Sequence, residues 1–141
     1  MRRPLTIAVD FDGTIVEHKY PKIGNELPFA IETLRALQKK GHKLILWTYR
    51  SEIELDEAVE FCKEKGLEFY AVNKNYPEEK MNDKISRKIL ADLYIDDRNY
   101  GGMPEWTDIY YSLHPEEKID NERKKTKSWR KKIEILQRGI R

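Results

Sequence analysis

The sequence has few of the features that mark secreted or membrane proteins. Cys62 is the only cysteine among 141 residues, so no disulfide forms within the chain, which fits a reducing compartment. No apolar run approaches the roughly 20 residues that a membrane-spanning helix needs. The opening stretch MRRPLTIAVD is basic and then apolar, but Asp10 and Asp12 interrupt it, which argues against a signal peptide. We therefore expect a cytoplasmic protein that does not associate with membranes.

Positive and negative residues are nearly balanced over the whole chain, but they are unevenly distributed along it. The 27 basic and 25 acidic residues give a formal net charge of +2. Residues 123–141 contain nine Lys or Arg and one Glu, a net charge of +8, which leaves −6 for residues 1–122. The length suits one domain. We predict a core over residues 1–114 and a basic helical extension over residues 115–141.

Short apolar runs alternate with segments of helical periodicity. Four runs predict buried strands, at residues 5–9, 42–49, 67–73 and 91–97. Residues 27–41 and 52–66 show helical spacing, and each segment ends in a glycine. Residues 106–113 predict a short closing helix. The alternation indicates βαβ units, and therefore an α/β fold with a mostly parallel sheet.

Polar groups follow three of the predicted strands. The first ends at Asp10 and Asp12, the second at Thr48, and the fourth at Asp96 and Asp97. A parallel sheet brings these ends to one edge, where ligands bind in such folds. Four converging carboxylates repel one another unless a cation lies among them, and hard oxygen ligands favour Mg²⁺. A hydroxyl and a lysine nearby suit a phosphoryl group, whose phosphorus one Asp could attack.

Each of these elements also has a purely structural explanation. An Asp-Gly pair after a strand commonly forms a turn, and Thr is at home in strands. The Asp96–Asp97 pair could cap the element that follows it. The order of the three elements and their shared position at strand ends favour a functional site.

Three stretches resemble motifs of the haloacid dehalogenase-like (HAD) phosphohydrolases. DFDGT, LILWT and LYIDD are similar to the first, second and fourth motifs, and the resemblance covers roughly residues 5–113. Within the superfamily, KILADLYIDDRNYGG most resembles a small, uncharacterised group of bacterial and phage-type hydrolases. The resemblance implies a three-layer Rossmann-like fold and a Mg²⁺-dependent phosphatase activity.

The resemblance also implies a role for each matched residue. Asp10 would be the nucleophile that forms an aspartyl-phosphate, and a Mg²⁺ ligand. Asp12 would be the general acid and then the general base, and its backbone carbonyl would bind Mg²⁺. Thr48 would hydrogen-bond the transferred phosphoryl group. Asp96 would bind Mg²⁺ directly, and Asp97 would do so directly or through water.

The third motif of the family, a Lys or Arg that neutralises nucleophile and phosphate, has no unique match. DKISRKILADLYIDD offers Lys84, Arg87 and Lys88. Spacing in related stretches favours Lys88. If the segment is helical, Lys84 and Lys88 share a face, so register leaves the choice between them open. At least one of the three is expected to be an ordinary solvated charge.

The connections leave no room for the cap domain that many HAD enzymes use to select small substrates. Residues 14–27, here called the flap, form only a short loop, and residues 50–83 are used by a helix, a strand and a loop. In the family, capless members act on exposed phosphates of macromolecules, or oligomerise so that a neighbour supplies the lid. The expected substrate is thus a phosphorylated small molecule or an exposed phosphate on a macromolecule, and a homo-oligomer is compatible.

Several residues near the predicted site are open to two interpretations. His18, Tyr20 and Lys22 of the flap could touch substrate, although an ordinary surface loop is the preferred explanation. Arg98 follows the fourth strand and either shapes the rim of the pocket or turns the chain. Trp47 and Tyr49 flank Thr48, and we predict that both pack on the faces of the sheet.

The basic C-terminus has two explanations. Its cationic residues and Trp129 could bind nucleic-acid phosphates. Alternatively, the segment is a solvated helix that docks on the acidic body through an apolar stripe, which we favour; the stripe comprises Trp129, Ile133, Leu136 and Ile140.

Two classes compete with a hydrolase. One is a catalytically silent binding module, nucleic-acid associated through the basic C-terminus; the presence of Asp12 argues against it, because binding needs no acid or base. The other is a receiver-type signalling domain. The order of DxD on the first strand and DD on the fourth fits the hydrolases better.

Overall fold

The computed structural model describes residues 3–138, apart from the side chains of residues 119–129. Its strands are β1 (Thr6–Val9), β2 (Lys43–Leu46), β3 (Ala71–Val72) and β4 (Leu93–Ile95). Its helices are α1 (Ala30–Lys39), α2 (Glu52–Glu64), α3 (Trp106–Leu113) and α4 (Pro115–Arg138). Every predicted strand and helix is present; α3 has its predicted bounds, and the four strands, α1 and α2 are shortened at one or both ends.

The four strands form one parallel sheet in the order β3-β2-β1-β4. Val9 pairs in register with Leu46 on one side and with Ile95 on the other. The three strands therefore end at the same level. Trp47 and Asp10 continue the pattern, since Trp47 N donates to Val9 O at 2.8 Å and Asp10 N donates to Ile95 O at 3.0 Å.

Helices cover one face of the sheet and a long connection covers the other. Both β-α-β crossovers advance in the same direction from β1, so right-handed connections place α1 and α2 on the same face. The alternation of strand side chains gives this face Ile7, Val9, Leu44 and Leu46, all fully buried. On the opposite face, Ile89 packs with Ala8, Ile45 and Ala71. The predicted α/β, Rossmann-like three-layer fold is thereby confirmed.

The helices present apolar stripes to this core. Ile31, Leu34 and Leu37 of α1 are buried, as are Ala58 and Cys62 of α2. Each fully buried aliphatic side chain of this size stabilises the fold by roughly 1.5–3 kcal/mol. The sheet edge that carries the polar strand ends is thus held on a rigid base.

The flap contains turns and two isolated bridges, Asp12 with Val16 and Val16 with Glu26. In the described chain, the flap contains none of the helices or strands named above, and residues 50–83 contain only α2 and β3. As predicted from the lengths of these connections, the described residues include no cap domain.

The approach to β4 is not helical. Residues 73–92 consist of turns and extended chain. The Asn82 side chain accepts a hydrogen bond from Lys84 N at 2.8 Å, and Ser86 Oγ accepts one from Lys88 N at 3.2 Å. Such local side-chain contacts compete with helical hydrogen bonds. The shared helical face that would have linked Lys84 and Lys88 is therefore absent from this segment.

The chain divides into two compact units, Met1–Trp106 and Thr107–Arg141. α4 begins at Pro115, where we predicted the extension to begin. Ile133 and Leu136 of its predicted apolar stripe are exposed, while the side chain of Trp129 and all of Ile140 lie outside the described residues. No helix in the described part of the chain has the length and apolar character needed to cross a membrane.

Candidate functional site

A tight turn after β1 brings Asp10 and Asp12 to the edge of the sheet. The backbone carbonyl of Phe11 accepts hydrogen bonds from the N–H groups of Thr14, Ile15 and Val16. Gly13 has φ +82°, and a Cβ at this position would lie 2.2 Å from Asp97 Oδ2. Glycine is required here both for the left-handed backbone and for the close approach of that carboxylate.

Three carboxylates from the ends of β1 and β4 converge. One oxygen from each of Asp10, Asp96 and Asp97 lies within 4.8 Å of the others. Burial raises the pKa of Asp10 to about 7, and the negative charge of Asp96 and a hydrogen bond with Asp97 act in the same direction. Without a cation, the cluster therefore favours a proton on Asp10.

The donor set fits a hard divalent cation. Mg²⁺–oxygen bonds of about 2.1 Å place opposite ligands roughly 4.2 Å apart, and the three carboxylate oxygens all lie within 4.8 Å of one another. All three are half-buried, so a cation reaching them would replace mutual repulsion with attraction in a partly desolvated setting. The residues present are thus suited to hold a hard divalent cation, and Mg²⁺ at this site stays a prediction.

Thr14 joins the two halves of this cluster. Its fully buried hydroxyl donates to Asp10 Oδ2 at 3.0 Å and accepts a hydrogen bond from Asp97 N at 3.0 Å. Its backbone carbonyl accepts a hydrogen bond from Trp106 Nε1 at 2.8 Å. Thr14 was not among the predicted site residues, although its place directly after DFDG was the available signal.

Asp12 forms a two-point ion pair with Arg50. Arg50 Nε lies 2.7 Å from Asp12 Oδ2, and Arg50 Nη2 lies 2.8 Å from Asp12 Oδ1. The Arg50 side chain is 0% exposed and that of Asp12 is 12% exposed. The hydrogen bonds and charge of Asp12 raise the pKa of Arg50. Planar, charge-assisted pairs of this kind are the strongest and most directional that side chains make.

The remaining N–H groups of Arg50 bind backbone carbonyls. Nη1 donates to Pro21 O at 3.1 Å and to Glu54 O at 3.2 Å, while Nη2 donates to Lys22 O at 2.9 Å. All five guanidinium N–H groups are therefore satisfied. Arg50 ties Asp12 to the flap and to α2. The sequence does not single out Arg50, because an arginine that directly follows a predicted strand resembles an ordinary surface charge.

Thr48 lies where β2 leaves the sheet. Its N–H donates to Asn73 Oδ1 at 2.8 Å, and its Oγ1 accepts a hydrogen bond from Arg50 N at 3.2 Å. Because this oxygen acts as an acceptor, the hydroxyl proton stays available to another group. The predicted phosphate-binding threonine is thus oriented by its own neighbours.

These groups border an open pocket of about 580 Å³. The predicted residues that line it are Asp10, Asp12, Thr48, Asp96 and Asp97. The other described residues of its lining are His18, Tyr20, Trp47, Tyr49 and Arg98. One edge of the sheet therefore gathers the residues from all three strand ends, as expected.

None of the three candidate cations of the third motif belongs to this described lining. Lys88 instead places its Nζ 5.3 Å from the centre of the Tyr94 ring. Arg98 does line the pocket, is largely exposed, and has its Nε 3.9 Å from Asp97 Oδ2.

The two aromatic residues beside Thr48 behave differently from each other. Trp47 is half-buried and packs on the cluster that contains Ile45, as predicted. The prediction for Tyr49 is wrong, because its side chain is 93% exposed. β2 ends at Leu46, so the alternation that would return Tyr49 to a face of the sheet no longer applies.

Comparison with known proteins gives a family but no activity. No protein-family model matches the chain, and no curated protein matches it. Among solved structures, a protein from Bacteroides thetaiotaomicron is 59% identical, with a TM-score of 0.76; the match covers 81% of this chain and 93% of that one. That protein is described only as conserved. The chain belongs to the same family as this conserved protein.

Proposed function

We propose that the protein is a Mg²⁺-dependent phosphatase that hydrolyses phosphomonoesters through an aspartyl-phosphate on Asp10. The observation that carries this proposal is the convergence of Asp10, Asp96 and Asp97 beside Thr48 in one open pocket. The resemblance of DFDGT, LILWT and LYIDD to the HAD motifs supports the same chemistry.

Asp10, Asp96 and Asp97 are the residues that would hold the ion. A bound Mg²⁺ would neutralise the charges of the cluster and of the phosphate, and so allow two anions to approach. Asp10 then forms a bond to phosphorus as the bond from phosphorus to the leaving oxygen breaks. Thr14 restrains Asp10 by its hydrogen bond to Oδ2. The Thr48 hydroxyl donates to an oxygen of the transferred phosphoryl group.

Asp12 transfers the protons. It protonates the leaving oxygen in the first step, and in the second it takes a proton from the water that attacks phosphorus. The bond between phosphorus and Asp10 breaks in that second step, which releases phosphate and restores the carboxylate. Each oxygen of Asp12 accepts one hydrogen bond from Arg50 and keeps a second lone pair for the transferred proton. Arg50 is a positioning residue for Asp12.

A cation that faces the phosphate completes the site. Among the described residues, Arg98 lines the pocket, whereas Lys84, Arg87 and Lys88 do not. Lys88 is still the candidate that the family pattern favours. Replacing Arg98 and Lys88 separately by Met distinguishes them, because loss of the phosphate-binding cation raises KM while loss of a solvated charge leaves it unchanged.

The proposal is tested by phosphate release from a panel of phosphomonoesters, including oligonucleotide ends, with Mg²⁺ or with EDTA. We expect turnover that requires Mg²⁺ and disappears in Asp10→Asn. Trapping of a phosphorylated Asp10 by rapid acid quench would identify the nucleophile. Absence of turnover on every member of the panel would count against catalysis.

The open pocket and the basic residues of α4 are compatible with a macromolecular substrate. The described side chains at residues 130–138 of α4 are exposed, and the first three of them are Arg130, Lys131 and Lys132. If α4 binds nucleic acid, the double variant Arg130→Glu, Lys131→Glu reduces salt-dependent binding of an oligonucleotide. Unchanged binding in that variant would remove nucleic acid from the list of partners.

A further inference from the structure

Aromatic side chains share the candidate pocket with the carboxylates. Tyr20 comes from the flap, and Trp47 and Tyr49 come from the chain that leaves β2. Trp47 and Tyr49 directly precede and follow Thr48 in the chain, and all three rings belong to the same lining as Thr48. The pocket volume of about 580 Å³ falls in the usual range for small-molecule sites.

Two of these rings are held in place by neighbours. The Tyr20 ring centre lies 5.2 Å from the guanidinium carbon of Arg50, whose N–H groups are all engaged. The Trp47 ring lies 5.4 Å from that of Tyr94, and its backbone N–H continues the sheet hydrogen bonding to Val9. Preorganised rings lose little conformational entropy when a ligand packs on them.

Tyr49 has the opposite character. Its side chain is 93% exposed, although it lines the pocket and directly follows Thr48. An aromatic ring left in water beside a binding group is apolar surface that a ligand can cover. If Thr48 holds the phosphoryl group, Tyr49 is one residue from that group and within reach of what is attached to it.

The charge of the pocket restricts the rest of the ligand. Arg50 balances Asp12, and a bound Mg²⁺ together with Arg98 would balance Asp10, Asp96 and Asp97. The described lining contains no further Lys or Arg, so a leaving group with additional phosphates or carboxylates would meet no free cation. An uncharged leaving group with a flat ring would meet aromatic surfaces instead.

We propose that the pocket selects phosphomonoesters whose uncharged leaving group carries a planar aromatic ring, namely nucleoside monophosphates, through stacking of the base on Tyr49 and the neighbouring rings. This inference rests on the proposed phosphatase function. Stacking of one base on an aromatic side chain corresponds to about a tenfold gain in affinity or more.

The test compares adenosine 5′-monophosphate with ribose 5-phosphate, which shares the phosphorylated 5′ carbon but lacks the base. We expect kcat/KM in Mg²⁺ to be at least about tenfold higher for the nucleotide. Tyr49→Ala should lower the ratio of the two values about tenfold, and Tyr49→Phe should preserve it. Tyr100→Ala is the matched control, since Tyr100 is fully exposed but outside the described lining.

A binding measurement separates this inference from the phosphatase proposal. Calorimetric titration of Asp12→Asn, which removes the proposed acid but none of the three carboxylates that would hold the ion, should show tighter binding of the nucleotide than of ribose 5-phosphate in Mg²⁺. Tyr49→Ala in that background should remove the difference. Equal kcat/KM values, or a ratio that survives Tyr49→Ala, overturn the inference and leave the phosphatase standing. If neither compound is hydrolysed, the phosphatase proposal is contradicted for these esters. The titration then decides alone: base-dependent binding supports the inference, and equal or absent binding overturns it.

Discussion

The two ends of the parallel sheet each carry an arginine–aspartate pair, and burial distinguishes them. At the amino end, Arg3 Nη2 lies 2.8 Å from Asp92 Oδ1, with side-chain exposures of 71% and 31%. At the carboxyl end, Arg50 Nε lies 2.7 Å from Asp12 Oδ2, with exposures of 0% and 12%. The contact distances are nearly the same, so the surroundings decide what each pair does.

Burial changes the role of the pair. Water screens the Arg3–Asp92 contact, and either partner alone would be well solvated. Arg50 has no such alternative, because its charge is removed from water and balanced only by Asp12 and three backbone carbonyls. The carboxyl end thus uses a buried charge network to hold polar groups in place, as a site for charged ligands requires.

The largest expected difference between the two ends is in activity. Asp10→Asn removes the proposed nucleophile, so we expect phosphate release to fall by more than about a thousandfold. Asp92→Asn, at the other end of the sheet, should leave kcat/KM within about twofold. Steady-state assays of both variants in Mg²⁺ make the comparison. Equal activity in the two variants would mean that Asp10 is not the nucleophile.

The next difference is in stability. Arg50→Met leaves Asp12 buried without a partner, for which we expect a loss of about 3–5 kcal/mol in the free energy of unfolding. Arg3→Met should shift the urea midpoint far less, because Asp92 is open to solvent.

A double-mutant cycle tests whether Arg50 acts through Asp12. If it does, Arg50→Met should cost much less in an Asp12→Asn background than in the wild-type chain. Arg50→Lys, which retains the charge but not the fork, serves as a milder variant if Arg50→Met does not fold. Additive effects of the two substitutions would show that the ion pair is not what Arg50 contributes.

The response to pH and Mg²⁺ should separate the ends further. Folding raises the pKa of Asp10 to about 7 from an ordinary value of about 3.9. The folded state therefore holds a proton that the unfolded state releases, and this contribution to stability is lost as pH rises from about 4 to 7. Asp10→Asn should lose that slope when Tm is measured in EDTA.

Mg²⁺ should restore the stability that is lost at neutral pH, because it competes with the proton for the same carboxylate. At 100 times its Kd the ion would stabilise the fold by about 2.7 kcal/mol. We expect the Mg²⁺-dependent rise in Tm to grow with pH in the wild-type chain and in Asp92→Asn alike. A rise of the same size in Asp10→Asn would place the ion elsewhere.

The smallest expected effect concerns Thr14. Thr14→Val keeps the shape but removes the hydroxyl that bridges Asp10 and Asp97 N, at a cost of about 1–3 kcal/mol. Thr14→Ser retains the bridge and should lose less. Urea unfolding of the two variants measures the difference, and equal midpoints would show that the bridge contributes nothing to stability.

Local patterns were sufficient for the scaffold of the fold. Apolar runs ended by Asp10, Thr48 and Asp96 predicted strands whose ends meet, and the register of Val9 with Leu46 and Ile95 confirms that alignment. Strand lengths were predicted less well. β3, an edge strand that pairs with β2 alone, contains only Ala71 and Val72.

Side-chain partners were beyond the reach of these patterns. The turn chemistry of Asn82 and Ser86 replaced the helix that would have aligned Lys84 with Lys88. Tyr49 left the sheet because β2 stopped three residues earlier. Both outcomes depend on hydrogen bonds, and the spacing of apolar residues along the sequence does not reveal these bonds.

The sequence alone determined the order of strands and helices and the place of Asp10, Asp12, Asp96 and Asp97 at the strand ends, because periodicity and burial act over a few residues. The tertiary structure alone decided that Arg50 would neutralise Asp12. These partners lie 38 residues apart, and only the packing of β1 beside β2 brings them together. The partner of a buried charge is determined by which segments of the chain pack together. The identity of that partner is therefore a long-range property of the chain.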